Sequence, residues 1–98
     1  MTEKGERLLF FSGRECPHCA KLRPVVEAVS EEEEVEIEEK EVWHSEQNAS
    51  LMREYGEAIA EACGGDLGVP SLYNERTGKA LCGKIDPESI REFIHEET

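Results

Sequence analysis

The 98-residue chain lacks the features that mark membrane-spanning, nucleic-acid-binding or secreted proteins. Its 11 lysines and arginines stand against 23 acidic residues, and the resulting net charge of −12 disfavours binding to nucleic acid or to an anionic membrane. No apolar run approaches the roughly 18 residues of a transmembrane helix. The polar start leads into only a short apolar run, residues 8–11, which is too brief for a secretory signal, so we expect a cytoplasmic protein.

The length predicts one domain, covering residues 1–98. A chain of this size buries roughly 60–65% of the surface of its unfolded form, enough for one modest core. Aspartate is almost absent, with Asp66 and Asp86 as its two instances, and we interpret the many glutamates as solvated helix faces. We expect a monomer.

Cysteine is sparse but placed with a pattern. Cys16 and Cys19 form a C-x-x-C motif that follows an apolar strand and opens a helix. A thiol in the first helical turn meets unpaired backbone N–H groups and the positive end of the helix dipole, and both favour its thiolate form. The second thiol lies one turn away, within reach of a disulfide bond. The motif therefore predicts a dithiol that cycles between reduced and oxidised states.

A four-cysteine zinc site is the rival interpretation of the same residues. Such a site usually presents a second close pair of cysteines, whereas Cys63 and Cys82 are far apart in the sequence. We therefore predict no metal at the C-x-x-C motif.

Hydrophobic periodicity predicts an α/β fold with the element order βαβαββα. The predicted strands cover residues 7–11, 35–42, 71–73 and 79–82, and the predicted helices cover residues 17–30, 45–63 and 87 onward. Strands one and two are joined by a helical crossover and should be parallel. The simplest closure is a four-stranded mixed sheet in the order 2-1-3-4, flanked by three helices.

Three local features qualify this pattern. Pro24 lies inside the first helix and should kink it, because it removes one backbone hydrogen bond. The acidic run 31–34 predicts a solvated loop or a fraying helix end. The alternation in strand two fails across residues 39–41, which predicts an irregular end, with a bulge as one form of it.

With these elements in place, the chain resembles the thioredoxin superfamily, in the size of a glutaredoxin. The motif Cys16-Pro17-His18-Cys19 follows a strand, and Val69-Pro70 stands where that superfamily has a cis-proline facing its dithiol. The element order matches over nearly the whole chain from residue 8. The CPHC sequence is similar to that of periplasmic disulfide-forming oxidoreductases, and Pro24 resembles the helix proline of thioredoxins. The resemblance implies a thioredoxin-like fold and thiol–disulfide oxidoreductase activity.

The resemblance also implies roles for individual residues. Cys16 is expected to be the exposed nucleophile and Cys19 the resolving thiol one turn inward. His18 is expected to stabilise the thiolate, and Pro70 to hold the backbone of Val69 where an extended substrate can pair with it. The implied partners are protein or small-molecule disulfides and dithiols, with a reductase or glutathione as the electron donor. No bound cofactor is expected.

The chain departs from the superfamily at several of its functional positions. Thioredoxins carry a buried aspartate and a tryptophan before the first cysteine, where this chain has Phe10 and Glu15. Glu15 should disfavour the thiolate at Cys16, whereas Arg14 and the histidine of the motif should favour it. No buried proton acceptor for Cys19 is evident.

Glutathione recognition is the part of the resemblance with the weakest match. Glutaredoxins hold glutathione with a Gly-Gly-x-x-Asp pattern after strand four, and here Cys82 replaces the first glycine. Gly83 and Asp86 remain as candidate glutathione-binding residues. Val69 stands where glutaredoxins prefer threonine. Glutathione is therefore expected only as a candidate co-substrate.

The remaining cysteines and aromatic residues each have two interpretations. Cys82 should lie near Pro70 at the rim of the site, either as a third thiol that exchanges with Cys16 or Cys63, or as a small buried apolar residue. Trp43 and Tyr73 either line a substrate groove or pack in the core, which is the commoner role of such residues. The other histidines, at positions 44 and 95, are predicted on the surface.

Two other classes of function compete with the oxidoreductase. Glutaredoxin-like proteins can bridge an iron–sulfur cluster through the first cysteine and glutathione, which makes a metal module the second hypothesis. A binding module that keeps the fold without turnover is the third. Retention of both Cys16 and Cys19 argues against this third hypothesis.

Overall fold

β1 (Leu8–Ser12) is an inner strand of a four-stranded mixed sheet in the computed structural model, which describes residues 8–82 and 85–95. It runs parallel to β2 (Ile37–Glu41) and antiparallel to β3 (Ser71–Asn74), which pairs with β4 (Lys79–Cys82). The order is β2-β1-β3-β4, as predicted. The helices are α1 (Pro17–Glu32), α2 (Glu46–Glu54), α3 (Gly56–Cys63) and α4 (Pro87–His95).

Alternate side chains of β1 point into two hydrophobic layers, one on each face of the sheet. Phe10 packs with the buried faces of α1 and α4, which consist of Leu22, Val26, Val29, Ile90, Phe93 and Ile94. Leu9 and Phe11 pack on the other face with Met52, Ile59 and Tyr73.

The predicted second helix is two helices, so the fold has four helices rather than three. The break lies at Tyr55, which ends α2 and precedes α3, and Gly56 follows it with the low helix propensity of glycine. The ring of Tyr55 stacks on Tyr73, with ring centroids 4.1 Å apart, and the side chain of Leu67 lies against Gly56. The predicted helix is therefore interrupted at the residue whose ring packs on Tyr73. Ala62, predicted on the inner face, is exposed.

The acidic run after residue 30 is not merely a solvated loop. α1 continues through Pro24 to Glu32, and α4 brings Arg91 and His95 beside its end. Arg91 pairs with Glu32 at 3.1 Å, and His95 contacts Glu33 at 2.6 Å. Residues that repel one another along the sequence thus help to join α1 to α4, although exposed pairs of this kind contribute little each.

β2 is shorter than predicted, and its register with β1 continues from Ile37 to Glu41 without a bulge. Val35 is excluded from the strand because its N–H donates to the carbonyl of Ser30 at the end of α1. The predicted start of β1 at residue 7 lies outside the described residues.

The end of the described chain is organised by a helix cap. Asp86 accepts a hydrogen bond from the N–H of Ser89 at 2.8 Å, and the hydroxyl of Ser89 accepts one from the N–H of Asp86 at 3.0 Å. These bonds satisfy groups at the start of α4, as predicted. None of the helices in residues 8–82 and 85–95 combines the length and apolar character needed to cross a bilayer.

Candidate active site

The C-x-x-C motif lies where β1 turns into α1. Cys16 is the N-cap of the helix, with extended backbone angles, and its sulfur accepts a hydrogen bond from the N–H of Cys19 at 3.2 Å. Pro17 occupies the first helical position, where its missing N–H leaves no intrahelical bond unmade. The Cys16 sulfur is therefore held over the positive end of a 16-residue helix.

The two sulfurs of the motif are free thiols in direct contact. The Sγ atoms of Cys16 and Cys19 are 2.6 Å apart, with Cys19 as the donor. A disulfide bond is about 2.05 Å long, so a small movement joins them. The expectation that Cys16 is exposed is wrong: it is 5% exposed and Cys19 is 0% exposed. The cap contributes to this burial, because its hydrogen bond turns the sulfur back over the helix.

Burial makes the second thiol, Cys19, harder to ionise than an ordinary cysteine. Desolvation raises the pKa of Cys19 to about 12, and its hydrogen bond to Cys16 adds to the effect. Arg23, one turn further along α1, acts in the opposite direction. Cys19 is therefore a protonated hydrogen-bond donor at neutral pH.

Glu41 at the end of β2 ties together two loops beside the motif. Its carboxylate accepts the backbone N–H groups of Arg14 at 2.8 Å, Trp43 at 3.1 Å and His44 at 2.9 Å. Desolvation alone would raise the pKa of Glu41, but these donors outweigh it and lower the pKa below its ordinary value. An anion therefore fixes the turn that leads into Cys16.

Trp43 lies over Gly13 in that turn. A Cβ atom added to Gly13 would fall 2.3 Å from Cδ2 of the indole, so only glycine fits beneath the ring. Trp43 is 53% exposed and is not a core residue. Tyr73, by contrast, is buried. The two aromatic residues that the sequence left with the same alternatives thus have different roles.

Glu15, next to the nucleophile, is paired with His44. The Nε2 atom of His44 lies 2.7 Å and 2.9 Å from the two carboxylate oxygens of Glu15, and this hydrogen bond is the main cause of a lowered pKa of Glu15. The Glu15 carboxylate, which was expected to disfavour the Cys16 thiolate, is therefore hydrogen-bonded to the His44 ring. His44 is on the surface, as predicted, and has a local partner.

A second polar cluster stands between α1 and β2. Glu39 accepts hydrogen bonds from Nε and Nη2 of Arg23, at 2.7–3.0 Å, and from the hydroxyl of the buried Ser12 at 2.7 Å. The pKa of Glu39 is lowered, chiefly by Arg23. Arg23 in turn carries the positive charge that acts on Cys19.

The hydrogen bonds that Glu39 and Glu41 make beside the motif were not predicted from the sequence. The failure of alternation at these positions indicated only an irregular strand end. The usable signal was positional: parallel strands place their carboxyl ends at one edge of a sheet, so polar residues at the end of β2 lie beside the motif that follows β1.

The opposite wall of the site is formed by Pro70. The Val69–Pro70 peptide bond is cis, as the resemblance implied. Pro70 and Ile85 face α1 across a groove of about 200 Å³, whose α1 side consists of His18, Lys21, Leu22 and Val25. A larger cavity, of about 450 Å³, includes Leu8 and His95 but no residue of the motif, whereas the smaller groove includes His18. The smaller groove is therefore the candidate substrate site.

Unpaired cationic side chains surround the motif. Arg14 precedes it, His18 lies within it and Lys21 borders the groove; the side chains of these three have no hydrogen-bond or ion-pair partner in the described part of the chain. Most other cations described are bound to carboxylates, for example Arg23, Arg53 and Arg91. Two basic side chains without a carboxylate partner among the described residues, Arg14 and Lys21, therefore lie beside the motif in a chain whose net charge is −12.

Cys63 and Cys82 form a disulfide bond that joins the end of α3 to the end of β4. They are therefore not accessory thiols in this structure, and Cys82 is not merely a small buried residue. Cys63 packs against the core layer on the face of the sheet opposite α1. The structure shows Cys82 bonded to Cys63, and the exchange of Cys82 as a third thiol with Cys16 or Cys63 stays a prediction.

Comparison with protein families agrees with this architecture. A family model described as a glutaredoxin-like domain (DUF836) matches residues 7–95. The chain belongs to this family. The family is one of unknown function, so membership gives this glutaredoxin-like domain its fold and leaves its chemistry to be argued from the site. Neither a curated protein nor a solved structure matches the chain.

The glutathione-binding residues expected of a glutaredoxin-like domain are only partly described. Gly83 lies outside the described residues, and the Asp86 carboxylate caps α4. In residues 8–82 and 85–95, no three histidine, cysteine or acidic side chains cluster in a way that would hold a metal ion.

The raised pKa of Cys19 predicts selective alkylation. In reduced protein at neutral pH, iodoacetamide should label Cys16 first, because Cys19 is buried and stays a thiol until the pH approaches about 12. Fragment mass spectrometry of the peptide that contains both residues measures the initial labelling of each. The denatured protein, as the control, should label both equally. Equal initial rates in the folded protein would contradict the assignment.

The lowered pKa of Glu39 predicts a pH-dependent contribution to stability. Glu39→Gln should reduce the free energy of unfolding at neutral pH by on the order of 1 kcal/mol, because it weakens the paired bonds to Arg23. The folded-state pKa lies below the ordinary 4.5, so the contribution is present above that value and is lost as the pH falls through the folded-state pKa.

Urea unfolding of both proteins across this pH range measures the contribution of Glu39. Glu38→Gln is the matched control, since among the described residues its carboxylate pairs with Lys40 alone, at 3.3 Å. A difference between Glu39→Gln and the parent that persists unchanged into acid would show that Glu39 acts otherwise.

Proposed function

We propose that this glutaredoxin-like domain is a thiol–disulfide oxidoreductase that acts through Cys16 and Cys19. The observation that carries the proposal is the contact between two unequal sulfurs at the start of α1. Cys16 receives two hydrogen bonds, from the N–H and the thiol of Cys19, and Cys19 is held protonated by burial. Hydrogen bonds to a sulfur favour its anionic form.

The reaction begins with attack by the Cys16 thiolate on a substrate disulfide. The S–S bond of the substrate breaks, one substrate sulfur leaves as a thiolate that takes up a proton, and a mixed disulfide forms at Cys16. With its sulfur engaged, Cys16 no longer carries the charge that helps to raise the pKa of Cys19. The Cys19 thiol then loses its proton more easily.

The second exchange closes the cycle on the enzyme. The Cys19 sulfur attacks Cys16, the mixed disulfide breaks, and the second substrate sulfur leaves as a thiol. The substrate has gained two electrons and two protons, and the enzyme holds a Cys16–Cys19 disulfide. A dithiol protein or glutathione then restores the thiols by the same chemistry. The reverse sequence would oxidise a dithiol.

The wall of the groove supplies positioning for the substrate. Pro70 lines the groove with His18, and the proposal assigns the backbone of Val69, which precedes it, the pairing of an extended substrate segment. Arg14 and Lys21 have no other partner among the described residues and are available to polar groups of the substrate.

Substitution of each active-site thiol tests the proposal. Cys16→Ser should abolish disulfide reduction, because the attacking sulfur is gone. Cys19→Ser should accumulate a mixed disulfide at Cys16, detectable by intact mass, because nothing resolves it. The control is Cys63→Ala with Cys82→Ala, which keeps both active-site thiols and should still exchange. Undiminished reduction by Cys16→Ser would refute the mechanism.

His18 offers a separate test of how the thiolate is stabilised. His18→Ala should slow the alkylation of Cys16 near neutral pH several-fold, because a side chain with partial positive charge is removed from beside the sulfur. The control is His95→Ala, which should leave the rate unchanged. His95 is exposed, and its partner is Glu33 at the end of α1. Identical rates in both variants would remove His18 from the mechanism.

A further inference from the structure

The Cys63–Cys82 disulfide closes over the segment that carries Pro70. This segment, the Pro70 loop (residues 64–70), connects α3 to β3 and has no regular secondary structure. The disulfide joins the residue before the loop to Cys82, whose strand partner is Ser71, the residue after the loop. The bridge therefore spans the loop from its first neighbour to its last.

Both sulfurs of the bridge contact the loop itself. The Cys63 sulfur lies 3.9 Å from the carbonyl oxygen of Gly68, and the Cys82 sulfur lies 3.9 Å from that of Pro70. A Cβ atom added to Gly68 would also lie within van der Waals distance of the Cys63 sulfur. The disulfide thus contacts Gly68 and Pro70, in the half of the loop that forms the wall of the groove.

Little else holds the loop in place. Gly65 donates its N–H to the carbonyl of Ala60, but residues 66–70 make no hydrogen bond to any described residue, since the two disulfide sulfurs have no hydrogen to donate. Leu67 lies on Gly56 and Val69 packs against the core. A segment with few hydrogen bonds is one that opens locally at low cost once a constraint is removed.

Reduction of the bridge would give the Cys82 thiol a hydrogen-bond partner in the hydroxyl of Ser71. Ser71 is fully buried, and among the described residues its hydroxyl has no hydrogen-bond partner. Cross-strand neighbours such as Ser71 and Cys82 have side chains on the same face, within contact distance. A free Cys82 thiol can donate to this hydroxyl, which a disulfide sulfur cannot do.

We infer that the Cys63–Cys82 pair is a redox latch that controls access to Cys16. The inference rests on the proposed function of the Cys16–Cys19 dithiol. When the latch is closed, the Pro70 loop is fixed and Cys16 is 5% exposed. When it is open, the wall of the groove yields and Cys16 becomes more accessible. The redox state of Cys63 and Cys82 thereby determines when Cys16 and Cys19 can exchange with a substrate.

Opening the latch requires an external dithiol reductant. One of its thiolates attacks a latch sulfur, the Cys63–Cys82 bond breaks, and a mixed disulfide forms. The second thiol of the reductant displaces the latch sulfur and closes the disulfide of the reductant. Two electrons and two protons pass to Cys63 and Cys82, which become thiols. Both residues are partly exposed, which permits such an attack.

The test compares Cys16 labelling with the latch closed and open. Cys19→Ser leaves Cys16 as the one free thiol when the latch is closed, so its alkylation rate needs no redox control. Adding Cys63→Ala and Cys82→Ala to this variant should raise the rate several-fold. A stability loss without a change in the rate would overturn the inference and leave the disulfide with a structural role only.

A second measurement covers the case in which the triple variant does not fold. Hydrogen–deuterium exchange of the wild-type protein, followed by mass spectrometry, should show faster exchange at the hydrogen-bonded amide of Gly65 in the loop after dithiothreitol reduction, with β1 and β3 unchanged. Equal exchange in the loop before and after reduction would overturn the latch. Neither readout needs disulfide turnover, so failure of the proposed reaction in the Cys16→Ser test is distinguishable from failure of the latch.

Discussion

The burial of the Cys19 sulfur beneath the start of α1 is the constraint on which the site depends. Burial keeps this thiol protonated, and a protonated thiol can donate to Cys16. The same helical turn adds a backbone donor to Cys16. Two chemically identical side chains thereby become unequal, one suited to attack and the other to resolution. The hydrophobic layer that buries Cys19 is thus also the source of its chemistry.

Much of the fold was predictable because apolar periodicity reports which face of each element is buried. The strand order follows from the crossover between β1 and β2, and the C-x-x-C motif and Val69–Pro70 locate the site. The break at Tyr55 was not predictable, since helix periodicity continues across it and the stacking partner, Tyr73, is distant in sequence. The Cys63–Cys82 bond was left among alternatives because spacing alone does not determine which cysteines pair.

The acidic residues show a further limit of sequence patterns. By composition they indicate a solvated surface, yet several have structural partners that only the tertiary fold brings near. Glu41 collects backbone donors from two loops, Glu39 binds Arg23 across the α1–β2 interface, and Glu33 meets α4. Glu41 accepts hydrogen bonds from backbone N–H groups, whereas Glu39 and Glu33 contact the basic side chains of Arg23 and His95. Near the thiols, Arg23 is bound by Glu39, whereas Arg14 and Lys21 have no such partner among the described residues.

The indole of Trp43 over Gly13 has a consequence for how this surface can diverge. The ring occupies the space into which any side chain at position 13 would project, so the two positions are sterically coupled although 30 residues apart in numbering. A homologue with alanine or a larger residue at position 13 must carry a smaller group at position 43 or a displaced loop. The pair should therefore covary in an alignment, as a signature of the conformation that leads into the dithiol.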